Sequence, residues 1–143
     1  MTDAHTSFEA KHGPDARPDP DIREAVAARE TSGAISCARA HKISRTLAVP
    51  PAAVGRTIDL MGIRLTKCQL GLFGFSPEKK VVTPIADPDP DLAEAIRAAA
   101  PDDRLSCAAA WEIADWLRVP RMTVSGACET AGIKIKPCQL GAF

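Results

Sequence analysis

The chain has 143 residues, of which 45% are hydrophobic and 25% are charged, a composition typical of a folded globular protein. Aromatic residues make up only 4%, which excludes a core built mainly from large aromatic side chains. The 18 basic residues balance the 18 acidic ones. Taken as a whole, the chain is therefore not a polybasic binder of nucleic acids or membranes.

The apolar runs are only a few residues long, far short of the roughly 18 residues that span a bilayer. The first 20 residues also lack the apolar segment of a secretory signal. We therefore expect a cytoplasmic protein that does not bind a membrane. In that reducing compartment, five cysteines indicate metal binding, redox chemistry or packing rather than a disulfide framework.

An internal duplication organises the chain at an offset of 70 residues, without gaps. About 23 of 56 aligned positions are identical. The clearest matches are Pro-Asp-Pro-Asp at 18–21 and 88–91, Ser-Cys-Ala at 36–38 and 106–108, and Cys-Gln-Leu-Gly at 68–71 and 138–141. The duplication predicts a flexible tail over residues 1–17, repeat 1 over 18–73, a linker over 74–87 and repeat 2 over 88–143.

Each repeat is predicted to begin with two helices. The first follows the Asp-Pro-Asp capping pattern and runs to about Glu30 or Ala100. The second follows an N-cap at Ser36 or Ser106. Its apolar residues recur at the spacing of one helical face. They are Cys37, Ala40, Ile43 and Leu47 in repeat 1, and Cys107, Ala110, Ile113 and Leu117 in repeat 2.

A turn and a third helix complete the helical part of each repeat. The turn is predicted at residues 49–50 and 119–120, because proline disfavours the helical conformation in the residue before it. The third helix ends at Gly62 or Gly132, since glycine most readily adopts the left-handed conformation at a helix end. Alternating apolar and polar residues at 63–65 and 133–135 then predict a short, half-buried strand.

The spacing Ile43-x3-Leu47-x-Val49-x4-Val54, which repeats 70 residues later, resembles the helix-turn-helix core of winged-helix proteins. The resemblance implies a mainly α fold with short β-wings (α+β), built from two tandem winged helix-turn-helix-like repeats. Two positions depart from the family pattern. The turn residue, usually glycine, is Ala48 or Arg118, and the cap, usually serine or threonine, is Pro50 or Pro120. The closing Cys-Gln-Leu-Gly-x-Phe block also resembles that of small uncharacterised prokaryotic proteins.

The resemblance implies a DNA-binding, transcriptional-regulator-like function, with the third helix in the major groove of double-stranded DNA. The charges support an assignment to repeat 1, since residues 36–80 carry eight basic and two acidic side chains. Residues 106–143 carry four basic and three acidic ones, so repeat 2 is expected to support dimerisation or sensing. The candidate DNA contacts are Arg39, Lys42, Arg45 and Arg56 in repeat 1, and Arg121, Thr123 and Ser125 in repeat 2.

Two other interpretations stay open for the same residues. The basic residues of repeat 1 could form an ordinary solvated surface. Alternatively, the chain could be a protein-interaction module on a winged-helix scaffold. Trp111 and Trp116 are five residues apart and cannot both lie on the apolar stripe. An exposed tryptophan beside Glu112 and Asp115 would then contact a protein partner or a second copy through repeat 2, with local packing as the commoner alternative.

Four cysteines occupy equivalent positions in the two repeats and are candidate metal ligands: Cys37, Cys68, Cys107 and Cys138. They could hold Zn or an iron–sulfur cluster between the repeats, or form a two-cysteine site in each. Packing and redox switching are the alternatives, because buried cysteine behaves as a small hydrophobic residue. Cys128 replaces Ile58 and is expected in the core.

An enzymatic function is the least supported interpretation. The repeats share no histidine, no phosphate-binding glycine loop and no acid pair apart from the helix-capping residues. We therefore assign no catalytic residue.

Overall fold

The computed structural model describes residues 16–142, so most of the predicted tail and Phe143 lie outside the described residues. The described part contains six helices and four short strands. It is mainly helical with a small β component, which confirms the predicted α+β composition. None of these helices has both the length and the apolar character needed to cross a bilayer.

The chain forms two compact units, and unit 1 has three helices and two strands. Within the described residues, unit 1 comprises residues 16–68 together with Leu140–Ala142. Its elements are α1 (Pro20–Arg29), β1 (Ala34–Ser36), α2 (Cys37–Leu47), α3 (Pro51–Leu60) and β2 (Arg64–Thr66).

Unit 2 comprises Gln69–Gln139 and repeats the same order of elements. They are α4 (Pro90–Ala99), β3 (Arg104–Leu105), α5 (Cys107–Leu117), α6 (Arg121–Ala131) and β4 (Lys134–Ile135).

The helix starts agree with the capping residues found in the sequence. Asp19 Oδ1 accepts hydrogen bonds from the amides of Asp21 and Ile22, at 3.0 and 3.1 Å. Ser36 Oγ accepts from the Arg39 amide at 3.2 Å, and Ser106 and Asp89 cap α5 and α4 in the same way. Each cap satisfies amides of the first turn that have no partner within the helix.

The turn between the second and third helices contains a residue in the left-handed conformation in both units. Ala48 has a φ of 54° and Arg118 a φ of 58°. In unit 1, Ser44 Oγ donates to the carbonyl of Val49 at 2.6 Å, which ties the end of α2 to the turn. The chain thus adopts at Ala48 and Arg118 a conformation that glycine adopts at lower cost.

The strands form one parallel pair in each unit. β1 pairs with β2, with Ile35 opposite Leu65, and β3 pairs with β4, with Leu105 opposite Ile135. The sequence predicted β2 and β4 but not β1 and β3. β1 and β3 lead directly into the N-caps of α2 and α5, and they are defined by pairing with partner strands 30 residues later rather than by a local pattern.

Most of each predicted apolar stripe lies in a core, whereas Leu47 and Leu117, at the ends of the stripes, are half-buried. In unit 1, Cys37, Ala40 and Ile43 of α2 are buried, and they share the core with Val54 and Ile58 of α3. The equivalent residues of unit 2, including the predicted core residue Cys128, are also buried. Burial of such apolar side chains is the main force that stabilises each helix assembly.

The compact units differ from the sequence repeats at their C-terminal ends. Leu70, which is fully buried, and Gly71 belong to unit 2, where Gly71 lies against Met122 and Val81. Leu140, which is 2% exposed, belongs to unit 1. Each repeated Leu-Gly segment therefore completes the unit that is built mainly from the other repeat.

Candidate nucleic-acid interface and cysteine pairs

Four basic side chains of unit 1 form what we call the basic surface: Arg39, Lys42, Arg45 and Arg56. All four are exposed. The first three are spaced three residues apart along α2, so neighbouring members lie on the same side of the helix. Arg39 Nη1 also donates to the carbonyl of Arg29 at the end of α1, at 3.0 Å, which holds one of the guanidinium groups in place.

The surface of α3 offers few groups that could contact bases. Ala52 and Arg56 are exposed, whereas Gly55 and Asp59 are buried. The close neighbour of Gly55 is Leu140, whose carbonyl oxygen would lie 1.7 Å from a Cβ added at Gly55. Arg56 is therefore the exposed side chain of α3 that could donate hydrogen bonds to a base.

The equivalent positions of unit 2 have a different chemistry. Arg39, Lys42 and Arg45 are replaced by Ala109, Glu112 and Asp115, of which the two acidic residues are exposed. Since phosphate groups are anionic, this side of α5 repels them instead of attracting them.

The candidate contacts in unit 2 are partly engaged within the protein. The Arg121 guanidinium lies 3.6 Å from the centroid of the Trp111 ring, and its Nη1 donates to Gln69 Oε1 at 3.0 Å. Thr123 is half-buried. Ser125 is only 1% exposed, and its Oγ lies 3.5 Å from the Arg121 carbonyl, so the fold does not present this hydroxyl to solvent.

A segment that we call the strap, residues 80–85, covers part of α6. The Ile85 amide donates to the Gly126 carbonyl at 3.1 Å, and Thr130 Oγ1 donates to the Ile85 carbonyl at 2.5 Å. Lys80 forms an ion pair with Glu129. The helix equivalent to α3 is thus covered in unit 2 by a segment that the sequence indicated only as linker.

The candidate metal ligands are mostly buried. Cys37, Cys68 and Cys107 are 4–5% exposed, and Cys138 is half-buried. Among residues 16–142, no group of three or more His, Cys, Asp or Glu side chains is close enough together to hold a metal ion. A Zn or iron–sulfur site therefore stays a prediction from the sequence.

In unit 2, Cys107 lies against the segment that carries Cys138. The Cys107 amide donates to the Pro137 carbonyl at 3.0 Å. Gln139 Nε2 lies 3.4 Å from Cys107 Sγ, to which it donates. Cys138, between Pro137 and Gln139, is therefore adjacent to Cys107 in the folded chain.

Cys128 has a different environment from these four. It is 1% exposed on α6. Burial, reinforced by the Glu129 carboxylate, raises the pKa of the Cys128 thiol to about 11. The thiol is therefore neutral at physiological pH, and a neutral thiol is a poor nucleophile and metal ligand.

Sequence reasoning missed Gln69, Gln139 and Gly126 as residues that shape the site. The two glutamines belong to the repeated Cys-Gln-Leu-Gly motif, so the motif itself was the available signal. No local signal identified Gly126, because its role depends on the strap. Comparison with protein-family models, curated proteins and solved structures found no match to the chain.

Proposed function

We propose that unit 1 binds double-stranded DNA through the basic surface, as part of a transcriptional-regulator-like protein in which unit 2 supports dimerisation or sensing. The observation that carries the proposal is the contrast between equivalent, exposed positions of two duplicated units. Lys42 and Arg45 stand where unit 2 has Glu112 and Asp115. An anionic partner bound by unit 1 alone would account for this difference in charge between equivalent positions.

The arrangement of α2 and α3 supports a helix-turn-helix-like architecture for this unit. The two helices are separated by the short turn at Ala48, whose left-handed conformation is the one that usually requires glycine in such turns. β2 follows α3, at the place where the wing begins in winged-helix proteins. Its partner is β1, in a parallel pair, rather than a hairpin strand.

The side chains available favour contacts with phosphate groups over contacts with bases. Arg39, Lys42 and Arg45 are suited to phosphate oxygens, whereas Arg56 is the exposed donor on α3. We therefore propose that binding depends weakly on DNA sequence and strongly on salt, because cation release from the duplex provides much of the free energy.

The test is fluorescence anisotropy of the full chain with a labelled duplex of mixed sequence, over a series of salt concentrations. Lys42→Glu and Arg56→Ala should weaken binding. The slope of log K against log salt should become shallower by about 0.9 for each phosphate group that a variant no longer neutralises. Lys134→Glu is the matched control, since Lys134 is an exposed cation on unit 2. Absence of binding, binding that does not respond to salt, or an equal effect of Lys134→Glu would contradict the proposal.

A second candidate function is protein interaction through unit 2. Trp116 is 76% exposed and follows Asp115 on α5. A large exposed aromatic side chain of this kind is typical of interface hot spots. If unit 2 mediates self-association, Trp116→Ala should lower the apparent mass in sedimentation experiments at high protein concentration. A mass that is monomeric and unchanged in the variant would exclude self-association at this residue.

A further inference from the structure

We propose that Cys107 and Cys138 of unit 2 are a redox-active pair of thiols, which closes reversibly to a disulfide in the presence of hydrogen peroxide. This inference does not depend on DNA binding, because neither residue belongs to the basic surface.

The backbone geometry places the two residues within disulfide range. The Cys107 amide donates at 3.0 Å to the carbonyl of Pro137, and this carbonyl belongs to the peptide bond that joins Pro137 to Cys138. With standard bond lengths, such a hydrogen bond holds the Cα atoms of Cys107 and Cys138 roughly 5–6 Å apart. Disulfides form between Cα atoms about 4.4–6.8 Å apart.

The strand pairing explains why this proximity is stable. Parallel pairing sets Leu105 opposite Ile135, so the chain reaches Cys107 and Pro137 after the same number of residues on both sides. The Lys136 amide donates to the Leu105 carbonyl at 2.8 Å, one step before the Cys107 contact. The two thiols therefore sit at the ends of a hydrogen-bonded ladder rather than on independent loops.

The surroundings of the two sulfur atoms suit different roles. Cys107 is the first residue of the 11-residue helix α5, and Gln139 Nε2 donates to its Sγ at 3.4 Å. Cys107 is only 4% exposed, so its sulfur suits the second, intramolecular step rather than the first reaction with peroxide. Cys138 is the more exposed of the two, so peroxide reaches it first.

The reaction proceeds in two balanced steps. The Cys138 thiol loses its proton and its sulfur attacks one oxygen of hydrogen peroxide, so that the S–O bond of a sulfenic acid forms and the O–O bond breaks. The hydroxide that is released takes up the proton and leaves as water. The Cys107 thiolate then attacks the Cys138 sulfur, so that the S–S bond forms and the S–O bond breaks. The departing hydroxide takes up a proton and leaves as a second water. Two electrons pass from the thiols to the peroxide, and an external dithiol returns them.

Unit 1 and Cys128 provide internal comparisons. Cys37 and Cys68 occupy the equivalent positions, but both are buried, at 5% and 4% exposure, so unit 1 lacks the accessible first sulfur. Cys128 is buried and stays protonated at neutral pH. We therefore expect the pair in unit 2 to be oxidised before the other three cysteines.

The test treats the full, folded chain with hydrogen peroxide, blocks remaining thiols by rapid alkylation, and identifies the products by mass spectrometry. We expect the loss of two hydrogen atoms, a peptide cross-link between Cys107 and Cys138, and full reversal by dithiothreitol. Cys107→Ser should leave a sulfenic acid on Cys138 that reacts with dimedone. Cys128→Ser should form the same cross-link as the wild type.

The cross-link is mapped in the wild type itself, so the result does not depend on whether a variant folds. A folded wild-type chain in which Cys138 is oxidised to sulfinic acid without a cross-link would overturn the proposal. So would preferential pairing of either cysteine with Cys128, or the absence of any product until the chain is unfolded.

Discussion

Gly126 lies directly against the main-chain carbonyl of Thr83. A Cβ added at Gly126 would come within 2.5 Å of that oxygen and within 2.9 Å of Cγ1 of Ile85. Glycine within a helix costs about 1 kcal/mol relative to alanine. Here the glycine allows the strap to pack on α6. The equivalent residue of α3 is Arg56, and a side chain of that size at position 126 would prevent this packing.

Replacing this glycine should release the strap. In Gly126→Arg, which introduces the residue found in repeat 1, the side chain must displace Thr83 or Ile85. A loss of about 1–3 kcal/mol in strap packing increases the open population by a factor of roughly 5 to 150. Hydrogen exchange of the Ile85 amide, bonded to the Gly126 carbonyl, should accelerate by that factor. Ala131→Arg, at an exposed position of α6, is the matched control. Unchanged exchange in Gly126→Arg would show that the strap does not depend on this contact.

The sign of the effect of Gly55→Ala tests the packing of Leu140 in unit 1. Helix propensity alone would make this substitution stabilising by about 1 kcal/mol. Because the new Cβ would lie 1.7 Å from the Leu140 carbonyl oxygen, we expect a loss of roughly 1–3 kcal/mol in unfolding free energy instead. Urea denaturation measures it, with Ala52→Gly on the exposed side of α3 as a reference for propensity. A stabilised Gly55→Ala would contradict the position of Leu140.

Arg121 connects Trp111 and Gln69 in unit 2. We expect Arg121→Met to lower the unfolding free energy by about 1–2 kcal/mol, since it removes a cation–π contact and a hydrogen bond. The environment of the Trp111 ring should change, which tryptophan fluorescence detects. Gln69→Ala removes only the hydrogen bond and should have the smaller effect. In the double variant the hydrogen bond is lost only once, so its destabilisation should be smaller than the sum of the single variants; full additivity would show that Arg121 and Gln69 do not interact.

Cys128 should make stability depend on pH in the alkaline range. Its pKa is about 11 in the folded chain against a reference value of 9.0, so the folded state holds the thiol proton more tightly than the unfolded state. The resulting contribution to stability is complete below about pH 9 and is lost as the pH rises toward 11. The difference in unfolding free energy between the wild type and Cys128→Ala should therefore shrink across this range, while lysine titration affects both proteins equally. Parallel stability curves from pH 8 to 11 would contradict the buried, neutral thiol.

Much of the fold could be predicted because its signals are local. The caps at Asp19 and Ser36 and the stripe of Cys37, Ala40 and Ile43 depend on contacts within one or two helical turns. β1 and β3 could not be predicted, since two or three residues gain strand geometry only from the partner strand 30 residues later. In the candidate site, the exposure of Arg39, Lys42, Arg45 and Arg56 was predictable from helical spacing, whereas the burial of Ser125 was not.

The duplication, the helices and the unequal charges of the two copies could be derived without a structure, because repeated motifs, helical periodicity and formal charge are properties of the chain alone. Which surfaces remain open depends instead on contacts between residues that are distant in the sequence. The packing of Leu140 against Gly55 and of the strap against Gly126 joins residues 85 and 43 positions apart. Such contacts depend on the close approach of two backbone segments. The sequence shows the glycines that permit this approach but not the segments that make it. The same long-range packing brings Cys107 next to Cys138, which their spacing in the sequence did not reveal.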